Sequence, residues 1–414
     1  MLPALVVCPL SIIESVWMQS LREFYPESKP INLWKVRKRL PDPEEIRNGT
    51  IGIINYESLK KLPISFLRQF AQLTLDEVSK IKEPRSQITE FIAGMPAPSA
   101  KRPGICESFP YRLILSGTPA PNTPMEYWSQ MAIVDRSILG ENFYRFREAH
   151  FYNPSGPYGN YTWLLKPGHD DLIIQAIRAK AFYISKKECL DLPEQNFIIK
   201  QYQMEGVQKT AYDQMKKESV AILKNTAVLG ANEIAKIMKL RQITSGFIRT
   251  ESGEDVFISE GKINLLKETL EEIGNKQAII WCQFHYEIEK IKSILGDKAT
   301  TLYGDMGGQA NKDKAIEDFK AAKVQYLIAH PKSGGMGLTF AQCSYNIYYS
   351  MDYSYESFKQ SEDRTHRIGQ KENVTYFILQ AEKSIDGLIY KAVQKKESMS
   401  DALLKLINEG DIHV

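Results

Sequence analysis

Gln72-Leu73-Thr74-Leu75-Asp76-Glu77 reads as a short apolar strand that stops on two adjacent carboxylates. A run of that length, bounded by polar residues, suits a strand covered on both faces, as in a parallel sheet flanked by helices. Three similar runs lie around it, at residues 4–7, 51–54 and 112–115. Cys8-Pro9 ends the first of these. Ser11 and Glu14 then have the spacing of a capping box, opening a helix that continues to about Phe24. Open parallel sheets bind ligands at the carboxyl ends of their strands. Asp76-Glu77 stands at such an end, where one carboxylate can hold Mg2+, usually through water, while the other orients and deprotonates an attacking water. Taken alone, the pair is a weak signal, because an Asp-Glu dipeptide is far more often an exposed turn.

The last third of the chain repeats the strand–helix alternation. Residues 262–273 carry an apolar face at Leu266, Leu270 and Ile273, with Gly274 placed as a C-terminal cap. Strands are expected at 278–281, 300–302, 324–329, 346–349 and 375–379, with a helix over 286–295 stopped by Gly296. The region from 122 to 253 differs. It is rich in aromatic residues up to Trp163 and helical after Leu192-Pro193, with the best segments at 207–224 and 232–243. Gly246 and the polar stretch 250–255 read as a linker. The expected fold class is α/β: two lobes with parallel sheets joined by a helical insert, divided as 1–190, 191–256 and 257–414.

Composition narrows the function classes. A chain of 414 residues suits two domains, and 25% charged with 43% hydrophobic residues is the balance of a soluble globular protein. The net charge of +3 means that a nucleic-acid partner has to be held by local patches. Lys35, Arg37, Lys38 and Arg39 beside Trp34 form one such patch, which reads equally as a solvated loop. Five scattered cysteines without a C-x-x-C pair argue against a zinc site or a disulfide framework and fit a reducing compartment. No apolar run has membrane-spanning length and no signal sequence opens the chain, so a cytoplasmic protein is expected.

Three further segments carry chemistry. Leu113-Ile114-Leu115-Ser116-Gly117-Thr118-Pro119-Ala120-Pro121-Asn122 is a strand ending in a turn that presents two hydroxyls. It is either a plain Gly-Pro turn or a reporter of nucleotide state. Ser333-Gly334-Gly335-Met336-Gly337-Leu338-Thr339 follows a strand, where glycines let backbone amides approach a phosphate or simply make a flexible turn. Gln360-Ser361-Glu362-Asp363-Arg364-Thr365-His366-Arg367-Ile368-Gly369-Gln370 places two arginines three apart. On one helical face both guanidinium forks can meet the same phosphate, or they can pair with Glu362 and Asp363 on a solvated helix.

Taken in order, these segments resemble the Swi/Snf branch of the superfamily 2 helicase-like ATPases, especially its compact bacterial and phage forms. The resemblance covers nearly the whole chain. Residues 3–11 resemble the family's motif Ia, Asp76-Glu77-Val78-Ser79 its motif II and 115–119 its motif III. Residues 279–284 resemble motif IV, 333–338 motif V and 360–370 motif VI, whose ending His366-Arg367-Ile368-Gly369-Gln370 is highly specific to this branch. Asn55-Tyr56-Glu57, residues 186–193 and Lys239-Leu240-Arg241-Gln242-Ile243 are supporting blocks.

The resemblance implies two RecA-like lobes and an ATP-driven translocase on double-stranded DNA, working without sequence preference in the cytoplasm of a bacterium or phage-infected cell. It implies that Asp76 coordinates Mg2+, that Glu77 is the catalytic base, and that Arg364 and Arg367 reach across an interlobe cleft to the γ-phosphate beside Gln360. Gly335 and Gly337 would approach the nucleotide, and Ser116, Thr118 and Ser79 would couple the lobes. Pro9, Ser11, Ser333 and Gly335 would line the DNA track, with Lys35 and Arg37 adding phosphate contacts. Ser79 stands where the family usually has histidine, which puts coupling rather than hydrolysis in question.

One departure is larger. The family needs a Gly-Lys-Ser/Thr loop to cradle phosphates, and the one Gly-Lys pair here, Gly261-Lys262, is followed by Ile263. The loop is expected upstream of Pro3, which leaves three readings: an N-terminally truncated form with an incomplete first lobe, a second chain that supplies the loop, or a non-hydrolysing DNA-binding module. Without its strand, the first sheet is expected to expose apolar flanks and an unpaired edge.

Overall fold

The computed structural model describes residues 2–97, 103–154, 163–184, 186–223, 231–304, 306–334 and 338–395. Two compact units divide between Tyr183 and Ile184. Both are α/β with a parallel sheet.

In the first unit, β1 (Ala4–Cys8), β2 (Lys29–Asn32), β3 (Thr50–Asn55), β4 (Gln72–Asp76) and β5 (Tyr111–Leu115) form one sheet in the order β2-β3-β1-β4-β5, parallel throughout. Alternation along the strands sends side chains to two cores. Leu5, Val7, Ile54, Leu73 and Leu75 join Leu33, Phe66 and Phe70 on one face. Val6, Cys8, Ile51 and Ile53 meet Ile12, Ile13, Met18 and Leu21 on the other. Each such aliphatic side chain contributes about 1.5–3 kcal/mol by leaving water. Gly52 is required where β3 passes under this packing, since a Cβ there would lie 2.8 Å from Leu33 and 2.9 Å from Phe70.

The sheet ends at β5, and among the described residues no strand pairs with its outer edge. Ile114 packs on the core while Tyr111, Leu113 and Leu115 are 57%, 46% and 37% exposed. These three alternate residues share one face of β5. Farther along, β6 (Phe151–Tyr152) and β7 (Leu164–Leu165) make a small antiparallel pair.

The second unit begins earlier than the reading of a 191–256 insert placed it. Residues 195–202, assigned there to the insert, form β8 (Gln195–Tyr202), the edge strand of the second sheet. It runs parallel to β15 (Val374–Ala381), in register from Gln195 with Val374 to Tyr202 with Ala381. Between them in sequence come β9 (Phe247–Arg249) and β10 (Asp255–Phe257), then β11 (Ala278–Trp281), β12 (Ala299–Leu302), β13 (Tyr326–Ala329) and β14 (Tyr345–Tyr348). The sheet order is β12-β13-β11-β14-β15-β8.

The stretch 250–255, read as a linker, is largely the turn of the β9–β10 hairpin. Gly246 starts it with φ +87°, where a Cβ would also lie 2.4 Å from the Ser259 carbonyl oxygen. The helices Gly206–Leu223 and Ala231–Thr244 pack together on this unit. Ile279, Trp281, Leu327 and Tyr348 face Phe319, Phe340 and Phe358. Ile280, Ile328 and Ile347 face Leu266, Leu270, Ile288 and Ile291. No described helix is long and apolar enough to cross a membrane.

Candidate functional site

Asp76 closes β4 in the interior of the first sheet, between β1 and β5, and Leu115 is its register partner. Three donors hold it. The Trp17 indole Nε1 donates to Oδ2 at 2.8 Å, the Glu77 amide to Oδ1 at 3.0 Å, and the Tyr56 hydroxyl to the main-chain carbonyl at 2.8 Å. Glu77 adopts the left-handed conformation, φ 55° and ψ 54°. This conformation is uncommon for a non-glycine residue, and such outliers cluster at functional sites. It turns the chain sharply into the short helical turn Val78–Lys80, within which Ser79 is buried. Asp76 and Glu77 themselves remain half-exposed. Burial, with Asp76 close by, pushes the Cys8 thiol and the Tyr56 hydroxyl well above their usual ranges, so both stay protonated beside the acids.

This donor set fits Mg2+, a hard ion that keeps several waters and needs only one or two carboxylates. Among the described residues no cluster of three or more His, Cys, Asp or Glu side chains is placed to ligate a metal, here or elsewhere. Ser116 and Thr118 follow β5 at the neighbouring strand end, with the Thr118 amide donating to Ser116 Oγ at 3.1 Å. Both are half-buried.

The segment after β1 departs from the expected cap. Glu14 does not close a box on Ser11. Its carboxylate accepts from Asn32 Nδ2 at 2.8 Å and pairs with Lys35 Nζ at 2.6 Å, and these bonds hold its carboxyl below the usual range. Residues Ile13–Met18 form a π-helix that runs into the α-helix Gln19–Phe24. Pro9 is buried whereas Ser11 is exposed. Of the basic patch, Arg37 stacks on Trp34 with 4.6 Å to the ring centroid, and Lys35 and Arg37 are exposed. Lys35 is nonetheless engaged by Glu14, in a pair exposed enough to add about 0–1 kcal/mol at most.

In the second unit Ser333 lies in the short helix Pro331–Gly334 after β13, its amide donating to the His330 carbonyl at 2.9 Å. Gly335 and Gly337 lie outside the described residues. Leu338 and Phe340 are fastened to the arginine segment: Arg364 donates to the Leu338 carbonyl at 3.0 Å, and the Phe340 amide to the Arg364 carbonyl at 2.8 Å.

That segment corrects the shared helical face. The helix Tyr355–Glu362 ends before either arginine, so Arg364 and Arg367 lie in the turns beyond it. Arg364 is buried and also donates to the Gln360 carbonyl at 2.9 Å, whereas Arg367 is exposed. Gln370 ties the turn back by donating to the carbonyls of Cys343 and Thr365. The block at 186–193 buttresses the same turn, with Lys186 2.5 Å from Asp363 and a His366 ring nitrogen 2.8 Å from the Pro193 carbonyl. Burial, with Lys186 nearby, holds His366 below the usual histidine range.

Trp17 and Tyr56 are the contributors the sequence did not assign to the acid site. Tyr56 had a signal in the Asn55-Tyr56-Glu57 block, but Trp17 had none.

The family model "SNF2-related domain" matches residues 1–246, and "Helicase conserved C-terminal domain" matches 261–369. The mouse "Chromodomain-helicase-DNA-binding protein 1-like" is 21% identical over 97% of this chain, which spans 44% of that relative. "Putative protein p41" of Acyrthosiphon pisum secondary endosymbiont phage 1 is 23% identical over 97% of this chain and 88% of its own length. Among solved structures, the "Sulfolobus solfataricus SWI2/SNF2 ATPase core in complex with dsDNA" is similar over 99% of this chain and 84% of its own, at 20% identity and a TM-score of 0.40.

Proposed function

The chain belongs to the SNF2-related family, with two RecA-like α/β lobes, and from that premise we propose that it is the motor core of an ATP-dependent translocase on double-stranded DNA. The acid end of β4 carries the reading. Asp76 is fixed by Trp17 and the Glu77 amide, and Glu77 projects from a left-handed backbone turn at the strand's carboxyl end.

In this reading Asp76 holds Mg2+ through water and Glu77 orients the attacking water and accepts its proton. The metal, when bound with ATP, supplies charge neutralisation on the phosphates. Arg367 is the guanidinium assigned to the γ-phosphate. Arg364 positions the irregular segment Leu338–Phe340 and is tied to the Gln360 carbonyl. Ser116, Thr118 and Ser79 pass the nucleotide state onward, and Gly335 and Gly337 approach the nucleotide. Ser11, Ser333, Lys35 and Arg37 contact phosphates of the duplex, with the salt dependence such contacts bring, and buried Pro9 shapes the loop that presents Ser11.

A second reading has one observation in its favour. The 414 residues contain no Gly-Lys-Ser/Thr, the loop whose lysine reaches the phosphates and whose hydroxyl meets Mg2+ in P-loop ATPases. The chain would then bind DNA without hydrolysis, or be one part of a split ATPase. Anisotropy of a labelled duplex with the chain, with and without ATP·Mg2+, separates the readings when paired with a hydrolysis assay on a polypeptide that also carries such a loop. The motor reading expects hydrolysis that rises on adding duplex. Hydrolysis indifferent to DNA contradicts it, and DNA binding untouched by ATP in both proteins favours the binding module.

A further inference from the structure

Between the basic patch and the acid pair lies a segment with an unusual backbone. Ile13–Met18 is a π-helix, a form that occurs mostly as single turns and frequently at functional sites. Its sequence, Ile-Glu-Ser-Val-Trp-Met, holds no glycine or proline that would force the wider turn. Side-chain ties hold it instead. Glu14, near one end, is bound to Lys35 and Asn32, and Trp17, near the other, donates to Asp76. Ile13 and Met18 anchor the segment in the core beneath, and it begins two residues after the exposed Ser11.

A π-turn closes over one more residue than an α-turn, so an α-helical form of the same segment is the alternative register. Relaxing it to α would rotate Trp17 relative to Glu14 and so shift the geometry of both ties. The two ties differ in strength of protection. The Glu14–Lys35 pair is open to solvent, with side chains 43% and 59% exposed, so a phosphate arriving at Lys35 competes directly with Glu14. The Trp17–Asp76 bond is partly buried.

We propose that Ile13–Met18 is a two-position coupling element: duplex phosphate draws Lys35 away from Glu14 and leaves Asn32 as the partner of that carboxylate, the segment changes register, and Trp17 leaves the Asp76 carboxylate. Trp17 is thus a positioning residue that reports DNA occupancy to the acid pair. The proposal rests on the DNA-binding reading of the Lys35 patch, and deepens it by naming the route from that patch to the hydrolytic acids.

The chain labelled with 5-fluorotryptophan gives one fluorine NMR line for each of its five tryptophans, and Trp17→Phe identifies the line of Trp17. A short blunt duplex carrying a dye at one end is titrated in, and its anisotropy records binding separately. The Trp17 line is expected to move in step with the binding curve. In Glu14→Gln it is expected to start displaced towards the DNA-bound position and to move less. A Trp17 line that stays fixed while anisotropy shows saturation overturns the coupling and leaves DNA binding intact. Lines that respond identically in Glu14→Gln and the unaltered chain also overturn it. An absence of any anisotropy change removes the DNA reading itself, and the coupling falls with it.

Discussion

The two units treat charge in opposite ways. Among the described residues the second buries Arg241, Lys262, Glu287, Glu362 and Arg364, whereas Glu126 is the one acidic or basic side chain fully buried in the first. The acids of the first unit's site stay half-exposed at a strand end, steadied by neutral donors from Trp17 and Tyr56. In the second unit a charged residue in a motif is therefore as much architecture as chemistry. Arg364 and Arg367 divide along that line: the first is a buried clasp between two carbonyls, the second is presented to solvent.

The sharpest way to break this contrast is Arg367→Ala. In a polypeptide that hydrolyses ATP, it is expected to lower the rate by roughly 10³–10⁵-fold, as loss of an arginine finger does, with an unchanged melting midpoint. A fall in the midpoint would make Arg367 architectural as well. Next in size is Asp386→Ala. Asp386 lies 2.8 Å from Lys262, whose side chain is wholly buried, and also accepts from Thr244 Oγ1 and the Ala381 amide. Leaving that lysine unpaired is expected to cost about 3–5 kcal/mol in urea unfolding of the second unit.

Arg364→Ala is expected to cost about 1–3 kcal/mol, because the carbonyls of Leu338 and Gln360 lose a buried donor. Stability unchanged within error would place Arg364 with Arg367 instead. The smallest effect is set by pH. Burial raises the Glu287 carboxyl above its usual range, against the pull of donors that include Ser350 and the Phe284 amide. The folded state therefore holds its proton more tightly than the unfolded chain. That contribution is complete below the ordinary carboxyl value of about 4.3 and fades as pH rises through the folded value. Urea midpoints across that window should fall more for the native chain than for Glu287→Gln, whose side chain stays neutral.

Much of the fold was legible because buried parallel strands carry a strong local pattern. β11 was read at its observed bounds, and β1, β3 and β4 to within a residue at each end. β2 was missed because it opens with Lys29-Pro30, which suits an edge strand and breaks the apolar run. β8 was missed because Phe197, Ile198 and Ile199 are consecutive and all partly exposed, so neither alternation nor a buried run announces them. Pairing with β15, some 180 residues away, decides its conformation.

The acid pair could be located from the strand it ends, but its clamp could not. Trp17 lies 59 residues upstream and reaches Asp76 only through the placement of β1 beside β4. The arginines were placed on one helical face because their spacing allows it, yet the helix stops at Glu362, and a local bond to Gln360 and a tertiary bond to Leu338 shape the turn.

The account stands on Glu77 as the proton acceptor for hydrolysis. The most direct measurement is the duplex-stimulated rate of ATP hydrolysis for Glu77→Gln against the unaltered residue, in a polypeptide joining this chain to a Gly-Lys-Ser/Thr loop, with nucleotide binding measured alongside. Loss of roughly 10²–10⁴-fold in rate with binding retained is predicted. A rate within a few-fold of the unaltered protein would contradict it.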